Sequence, residues 1–381
     1  MRTAALCLSI TIVAFPALSL GLYDDEINAL SVGGHAGISL VNSDGDTRVA
    51  DSSSRIRFTF NRQLPNDWQA EARMEWGFNL VDSGNNLQLS GDALQSQREG
   101  QFLFNRLGYL AFNHDKFGSL SIGKQWSVYY DVAANTDNFI LTGGLASGVY
   151  NFGTDGGLSG TGRADSAIQY RNELYGLQYA LQYQAKTEGT VGVLPPPECN
   201  VTEPPAFCDE LNDFSVDYDD SWGGSVRYRF HALTFGVGYN RGNFESVARG
   251  QAKDEAVILG ITYGDLYQPG LYAGANYAKT ENHELDHRNR VFDGDGYELM
   301  VNYTFDNALT LVSGVNWLES SDSTYEDENG KFKRLLYVLG AHYQWGDMIR
   351  LYVEGKIDDS EFGSDNGSDE NLIGVGARFY F

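Results

Sequence analysis

Basic residues are scarce in this chain. Its 27 Lys and Arg stand against 51 Asp and Glu, a formal net charge of −24. It lacks the basic footprint that nucleic-acid binding requires. Long apolar runs are also missing. Beyond the amino-terminal segment, nothing approaches the ~18 apolar residues of a membrane-spanning helix. Cysteine is rare, with 3 in 381 residues. No Gly-x-Ser-x-Gly elbow, phosphate-binding loop or cluster of metal ligands occurs, so neither an enzyme nor a cofactor is expected.

The first residues read as a secretory signal. Arg2 supplies the positive start, residues 4–20 are mostly apolar, and Ala17, Ser19 and Gly21 offer cleavage sites. Cys7 follows Leu6 with no small residue just before it, unlike a lipoprotein site. We place the signal peptide at 1–21 and a single domain at 22–381, the mature start falling near Leu20 or Leu22. Cys199 and Cys208 are then the only cysteines left. They flank a Pro-rich stretch and are expected to form one disulfide in the oxidising compartment.

What the chain does have is 44 Gly, 23 Tyr and 21 Phe with a negative mean hydropathy. Secreted, aromatic, Gly-rich and polar on average is the composition of a transmembrane barrel. Period-two alternation recurs in sixteen segments, near 30–41, 52–63, 67–80, 99–113, 117–126, 163–172, 176–187, 222–231, 232–243, 255–265, 270–281, 296–305, 308–319, 334–345, 348–357 and 371–381. In the third, Trp68, Ala70, Ala72, Met74, Trp76 and Phe78 oppose Gln69, Glu71, Arg73 and Glu75. A one-residue slip would turn those charges to lipid, so the register is strongly specified. In the last, Ile373, Val375, Ala377, Phe379 and Phe381 face one way and Arg378 the other. Its terminal aromatics resemble the signal read by the barrel-assembly machinery. Short connections alternate with long ones, the asymmetry of periplasmic turns and external loops. The expected fold is all-β: a 16-stranded antiparallel transmembrane β-barrel of the bacterial outer membrane. Its loops carry much of the acid, including Asp46, Asp51, Asp219, Asp220, Glu284, Asp286, Asp365 and Asp369. Those charges serve solubility, bridge divalent cations to lipopolysaccharide, or form a cation-enriching vestibule.

Between 105 and 186 stand Arg106-Leu107, Gly118-Ser119-Leu120-Ser121-Ile122-Gly123-Lys124, Tyr130-Asp131, Thr136-Asp137, Gly143-Gly144, Gly162-Arg163, Tyr170-Arg171-Asn172 and residues 176–183. In order and spacing this stretch is similar to the trimeric general porins of Gram-negative bacteria. The resemblance implies a homotrimer passing small hydrophilic solutes and ions by diffusion. It also implies that the third long loop folds into the barrel as a constriction, with carboxylates opposite a basic wall. It puts Asp137 on the loop's acidic side. The family's Pro-Glu-Phe-Gly-Gly is replaced here by Ile140-Leu141-Thr142-Gly143-Gly144, and Asp155 is the candidate for the missing charge. Arg55, Lys124 and Arg163 match the basic wall, and His35 stands where Lys is common. Arg57 and Arg73 share the lumen face by parity. Glu75 matches an acid that binds the basic cluster. The bland alternative is that Arg55, Arg57 and Arg73 only pair with Glu71 and Glu75 to stabilise the wall. Opposed charge rows across water would pass polar solutes by size and charge without chemistry. Net acidity is a poor guide to that choice, because charges are screened over ~10 Å at 0.1 M salt.

His283-Glu284-Leu285-Asp286-His287 fits the His-Glu-x-x-His zinc-protease pattern, which works only on a helix. Here it falls between two strands and reads as coincidence. The competing function is a surface recognition barrel, an adhesin or receptor acting through its acidic loops.

Overall fold

The computed structural model describes residues 19–43, 45–81, 103–151, 154–186, 216–246, 250–286, 290–363 and 370–381. Cys199, Cys208, Asp365, Asp369, His287 and the signal segment up to residue 18 lie outside the described residues.

The chain opens with β1 (Ser19–Asp24) and β2 (Asn28–Ser43). Then come β3 (Asp46–Asp51), β4 (Arg55–Gln63), β5 (Gln69–Phe78), β6 (Leu103–His114) and β7 (Gly118–Trp126). A one-turn helix, α1 (Tyr130–Ala133), lies in the connection to β8 (Arg163–Leu174) and β9 (Leu177–Gln184). Next are β10 (Val216–Tyr218), β11 (Ser221–Phe230), β12 (Leu233–Ser246), β13 (Gly250–Tyr263), β14 (Gly270–Leu285), β15 (Val291–Thr304) and β16 (Leu309–Ser320). Helix α2 (Ser323–Asn329) precedes β17 (Phe332–Trp345), β18 (Ile349–Asp358), β19 (Glu361–Phe362) and β20 (Leu372–Tyr380).

These segments make the sixteen staves of one closed antiparallel barrel. β3 and β4 share a stave, as do β10 and β11, and β18 and β19. β20 pairs with both β18 and β2, which shuts the ring. β1 lies end to end with β20 on the same edge of β2: Ser19 faces Gly33, and Phe381 exchanges backbone bonds with Gly34. Residues 19–21, assigned above to the leader, therefore sit within a stave.

Parity behaves as the alternation requires. On β20, Ile373, Val375 and Phe379 are exposed and Arg378 is buried inside. Exposed aromatics gather at both ends of the staves. Phe117, Tyr175, Phe230, Tyr263, Tyr303 and Trp345 stand beside the short turns. Exposed Tyr297 and Trp317, with half-buried Tyr277, form a run of contacts 5.1–5.3 Å apart towards the long loops. Such girdles suit the two membrane–water interfaces. The turn Tyr175-Gly176 has φ of 53° and 79°, the paired left-handed conformation that matches strand twist.

The structure departs from the sequence expectation in three places. Residues 46–51 extend the first hairpin as β3 instead of looping. β14 and β15 run through much of the loop assigned to 282–295. Several loop acids are buried rather than solvated: Asp51 accepts the amides of Ser54 and Leu80, Glu284 lies near the end of β14, and Asp286 accepts Arg290 and the Tyr325 hydroxyl. Sequence position near a turn does not reveal that neighbouring backbone donors need an acceptor.

Leu299 is 45% exposed and stands between Ala275 and Val315 on the outer surface. Leu299→Arg should cost roughly 2–4 kcal/mol of barrel stability. Urea titration of the heat-modifiable folded form checks this, and an unchanged midpoint contradicts a lipid-facing site.

Candidate functional site

Residues 127–162 leave β7 and return to β8, which is β7's direct neighbour. A loop this long between adjacent staves has to go somewhere, and it goes inside. α1 enters first, and Val132 presses against the Cα atoms of Gly236 and Gly260, where a Cβ would crowd it. The loop then follows the wall through β14, β15, β16 and β18. Asn276 donates to Ala133 O and to the Thr136 hydroxyl, and Tyr272 donates to Asn135 O. Glu298 accepts the Thr136 hydroxyl and the Ala146 amide. Glu354 accepts the amides of Ile140 and Leu141 at 2.8 and 2.7 Å. On the way back, Asn240, Gln182 and Gln184 donate to the carbonyls of Ser159, Gly160, Gly157 and Leu158. The loop's buried backbone is thus satisfied by lumen-facing wall side chains, and bonds to charged acceptors contribute about 1.5–3 kcal/mol each.

His283 and Glu284 lie on a strand, which rules out the helical zinc-protease arrangement. His283 Nδ1 meets Asp254 at 2.6 Å and Nε2 meets Gly148 O at 2.8 Å, so the residue ties the loop to β13. Among the described residues no cluster could hold a metal ion.

The opposite wall, β4 to β8, carries Arg55, Arg57, Arg73, Arg106, Arg163 and Arg171. Glu75 is buried and gathers three of them: Arg106 at 2.9 Å, Arg57 at 3.9 Å and Arg55 at 4.0 Å. Arg73 pairs with Glu71 at 3.2 Å and stacks over Tyr109. The side chains of Arg55, Arg57 and Arg73 stay 19, 20 and 32% exposed, whereas Arg106 is closed off at 2%. Arg106 was not among the candidate site residues. Its side of the strand cannot be read by simple parity, because a register shift interrupts β5–β6 pairing at this point.

Four of the expected site residues, Arg163, Asp155, Lys124 and His35, are tied up in other contacts. Arg163 is fully buried, stacked over Trp126, and binds Asp155 at 3.2 Å. Asp155 also binds Lys124 at 3.0 Å. His35 faces inward but is buried against the Tyr380 ring. Of the loop's three carboxylates, Asp131 pairs with Arg171 and Asp155 with Arg163. Asp137 is the one that stays half-exposed, held by the hydroxyls of Tyr130 and Tyr150.

Burial favours the neutral Asp155 carboxyl, but Arg163 and then Lys124 outweigh it and lower the pKa to about 2. A depressed carboxylate stabilises the fold above its unfolded value of ~3.9 and loses that contribution as pH falls through its folded value. Asp155→Asn leaves Arg163 buried without its carboxylate and should cost about 3–5 kcal/mol at neutral pH. The gap in thermal midpoint between wild type and variant should close between pH ~4 and about 2. A gap that persists at lower pH would argue against this ion pair.

Comparison with known proteins agrees with this architecture. Residues 3–363 match the family profile described as Gram-negative porin. Outer membrane protein S2 of Salmonella typhi is 25% identical over 100% of this chain and 99% of its own length. Outer membrane porin PhoE of Enterobacter cloacae is 25% identical over 94% and 93%. Among solved structures, Salmonella typhi OmpF in complex with daunomycin superposes with a TM-score of 0.70 at 18% identity, covering 95% of this chain and 100% of that one. The anion-selective porin of Comamonas acidovorans gives 0.64 at 14% identity, over 93% and 100%. A closed sixteen-stave barrel, a loop bonded inside it and a profile match over nearly the whole length have one reading: the chain belongs to the Gram-negative porins, channels of the bacterial outer membrane.

Proposed function

We propose that the channel's filter is the gap between the loop's Asp137 and the partly exposed guanidiniums of Arg55, Arg57 and Arg73. The supporting observation is the division of the wall. Carboxylates and amides of β9 to β18 bind the loop, while β4 and β5 keep arginines partly exposed to the lumen. Arg is charged at any relevant pH and is weakly hydrated, which suits repeated contact with passing ions. Small hydrophilic solutes then diffuse through, sorted by size and charge, and no bond is made or broken.

Lys124, Arg163 and Asp155 act as the tether that closes the loop onto β8 rather than as open filter charges. His35 packs against the final strand, and Glu75 keeps the arginine group in place. The porin assembles as a homotrimer in contact with outer-membrane lipid and lipopolysaccharide. Phe379 and Phe381 serve as its assembly signal, Cys199 and Cys208 form a disulfide, and the signal peptide, placed at 1–21, is removed on export.

Planar-bilayer recording in a salt gradient tests the filter. Conductance closing in three equal steps supports an open trimer. Asp137→Asn should lower the cation-to-anion permeability ratio roughly twofold, and Arg57→Ala should raise it by a similar factor. Unmoved reversal potentials in both variants would place selectivity elsewhere. A silent bilayer with inserted protein would favour the recognition-barrel reading.

A further inference from the structure

The connection between β13 and β14, residues 264–269, is the longest on the short-turn side of the barrel among the described residues. It does not stay at the rim. Leu266 is buried in a cluster with Tyr272 and Met300, and Phe139 of the in-folded loop packs on that same cluster beside Tyr267. Tyr267 holds a left-handed backbone, φ 58°, between Gly264 at 78° and Gly270 at 114°. A bulky residue adopts that conformation only where its contacts require it.

Those contacts lie well around the ring. The Tyr267 hydroxyl is 3.1 Å from His342 Nδ1 on β17, and its ring lies 4.1 Å under the Arg350 guanidinium on β18. β15 and β16 stand between β14 and these partners, so the turn reaches inward across that sector. Asp265 fixes its other side to Arg229 on β11 at 3.1 Å.

The hydrogen bonds continue upward. His342 Nε2 is 2.7 Å from Glu354, the carboxylate that accepts the amides of Ile140 and Leu141. A neutral imidazole fits this chain in one tautomer. Nε2–H donates to Glu354, and Nδ1 accepts from the Tyr267 hydroxyl. The turn therefore touches the constriction loop by two routes, an apolar one through Phe139 and a polar one through His342 and Glu354.

We propose that residues 264–269 are a second constriction element, a strut that narrows the periplasmic exit and sets the position of the constriction loop from below. Tyr267 is its positioning residue. This rests on the channel reading above. It adds a part of the filter that none of the filter charges reveals.

Single-channel recording of Tyr267→Ala and Tyr267→Phe, with folding confirmed by heat-modifiability, tests it. Tyr267→Ala removes the ring wedge and the polar route, leaving only the Leu266–Phe139 packing, and should raise conductance about 1.5-fold, with a noisier open level. Tyr267→Phe keeps the ring wedge and cuts the polar chain. It should hold the wild-type mean conductance with added noise. Wild-type conductance and noise in Tyr267→Ala, or in Tyr267→Phe should the alanine variant not fold, would overturn the strut. A silent wild type would instead count against the channel itself.

Discussion

In the hydrocarbon of a bilayer, an unpaired backbone N–H or C=O has no water to bond, and each costs several kcal/mol. Pairing every stave on both sides is the constraint on which the rest of this structure depends. β20 meets it by bonding β18 on one edge and β2 on the other. Where β20 stops, at the Phe381–Gly34 bonds, β1 takes over the remaining edge of β2 from Gly33. Closure then dictates the side chains. Outward positions meet lipid and are Leu, Ile, Val and aromatic. Inward positions are polar, because they enclose water and a loop rather than an apolar core.

That loop brings the same requirement inside. Its 36 or so residues carry backbone donors and acceptors into a partly buried space. The wall answers with Asn, Gln and Glu at inward positions of β9 to β18. Glu298 and Glu354 are deeply buried carboxylates whose partners are loop amides and hydroxyls rather than cations alone. The proposed filter's asymmetry follows from this division: inward side chains of β9 to β18 hold the loop, and Arg55, Arg57 and Arg73 of β4 and β5 stay partly exposed.

Charge pairing sorts the basic residues into two kinds. Arg163 and Arg106 are buried and bound at 3.2 and 2.9 Å to Asp155 and Glu75, so they hold structure. Arg55 and Arg57 sit about an ångström further from Glu75 and stay partly exposed. The bland alternative, that these arginines only stabilise the wall, describes Arg106 better than it describes Arg57.

Most of the architecture was legible in the chain, because it is written in local alternation. Stave after stave appears where period-two patterning places it, since lipid on one side and water on the other impose that period directly. Parity likewise puts His35, Arg55, Arg57, Arg73, Glu75 and Arg378 on the inner face. What parity cannot say is how much water reaches an inward side chain. That depends on the path of a loop bonded to staves far away in sequence, which buries Arg163 and Asp155 and leaves Asp137 half-open. The reach of Tyr267 to His342 and Arg350 was equally invisible, because a turn's direction depends on partners some eighty residues downstream. The sequence by itself determined a barrel, its register and which residues face inward, through the two solvents that each strand must meet. Only the tertiary structure decided which of those inward charges face open water, because that is settled by contacts between segments no local pattern connects.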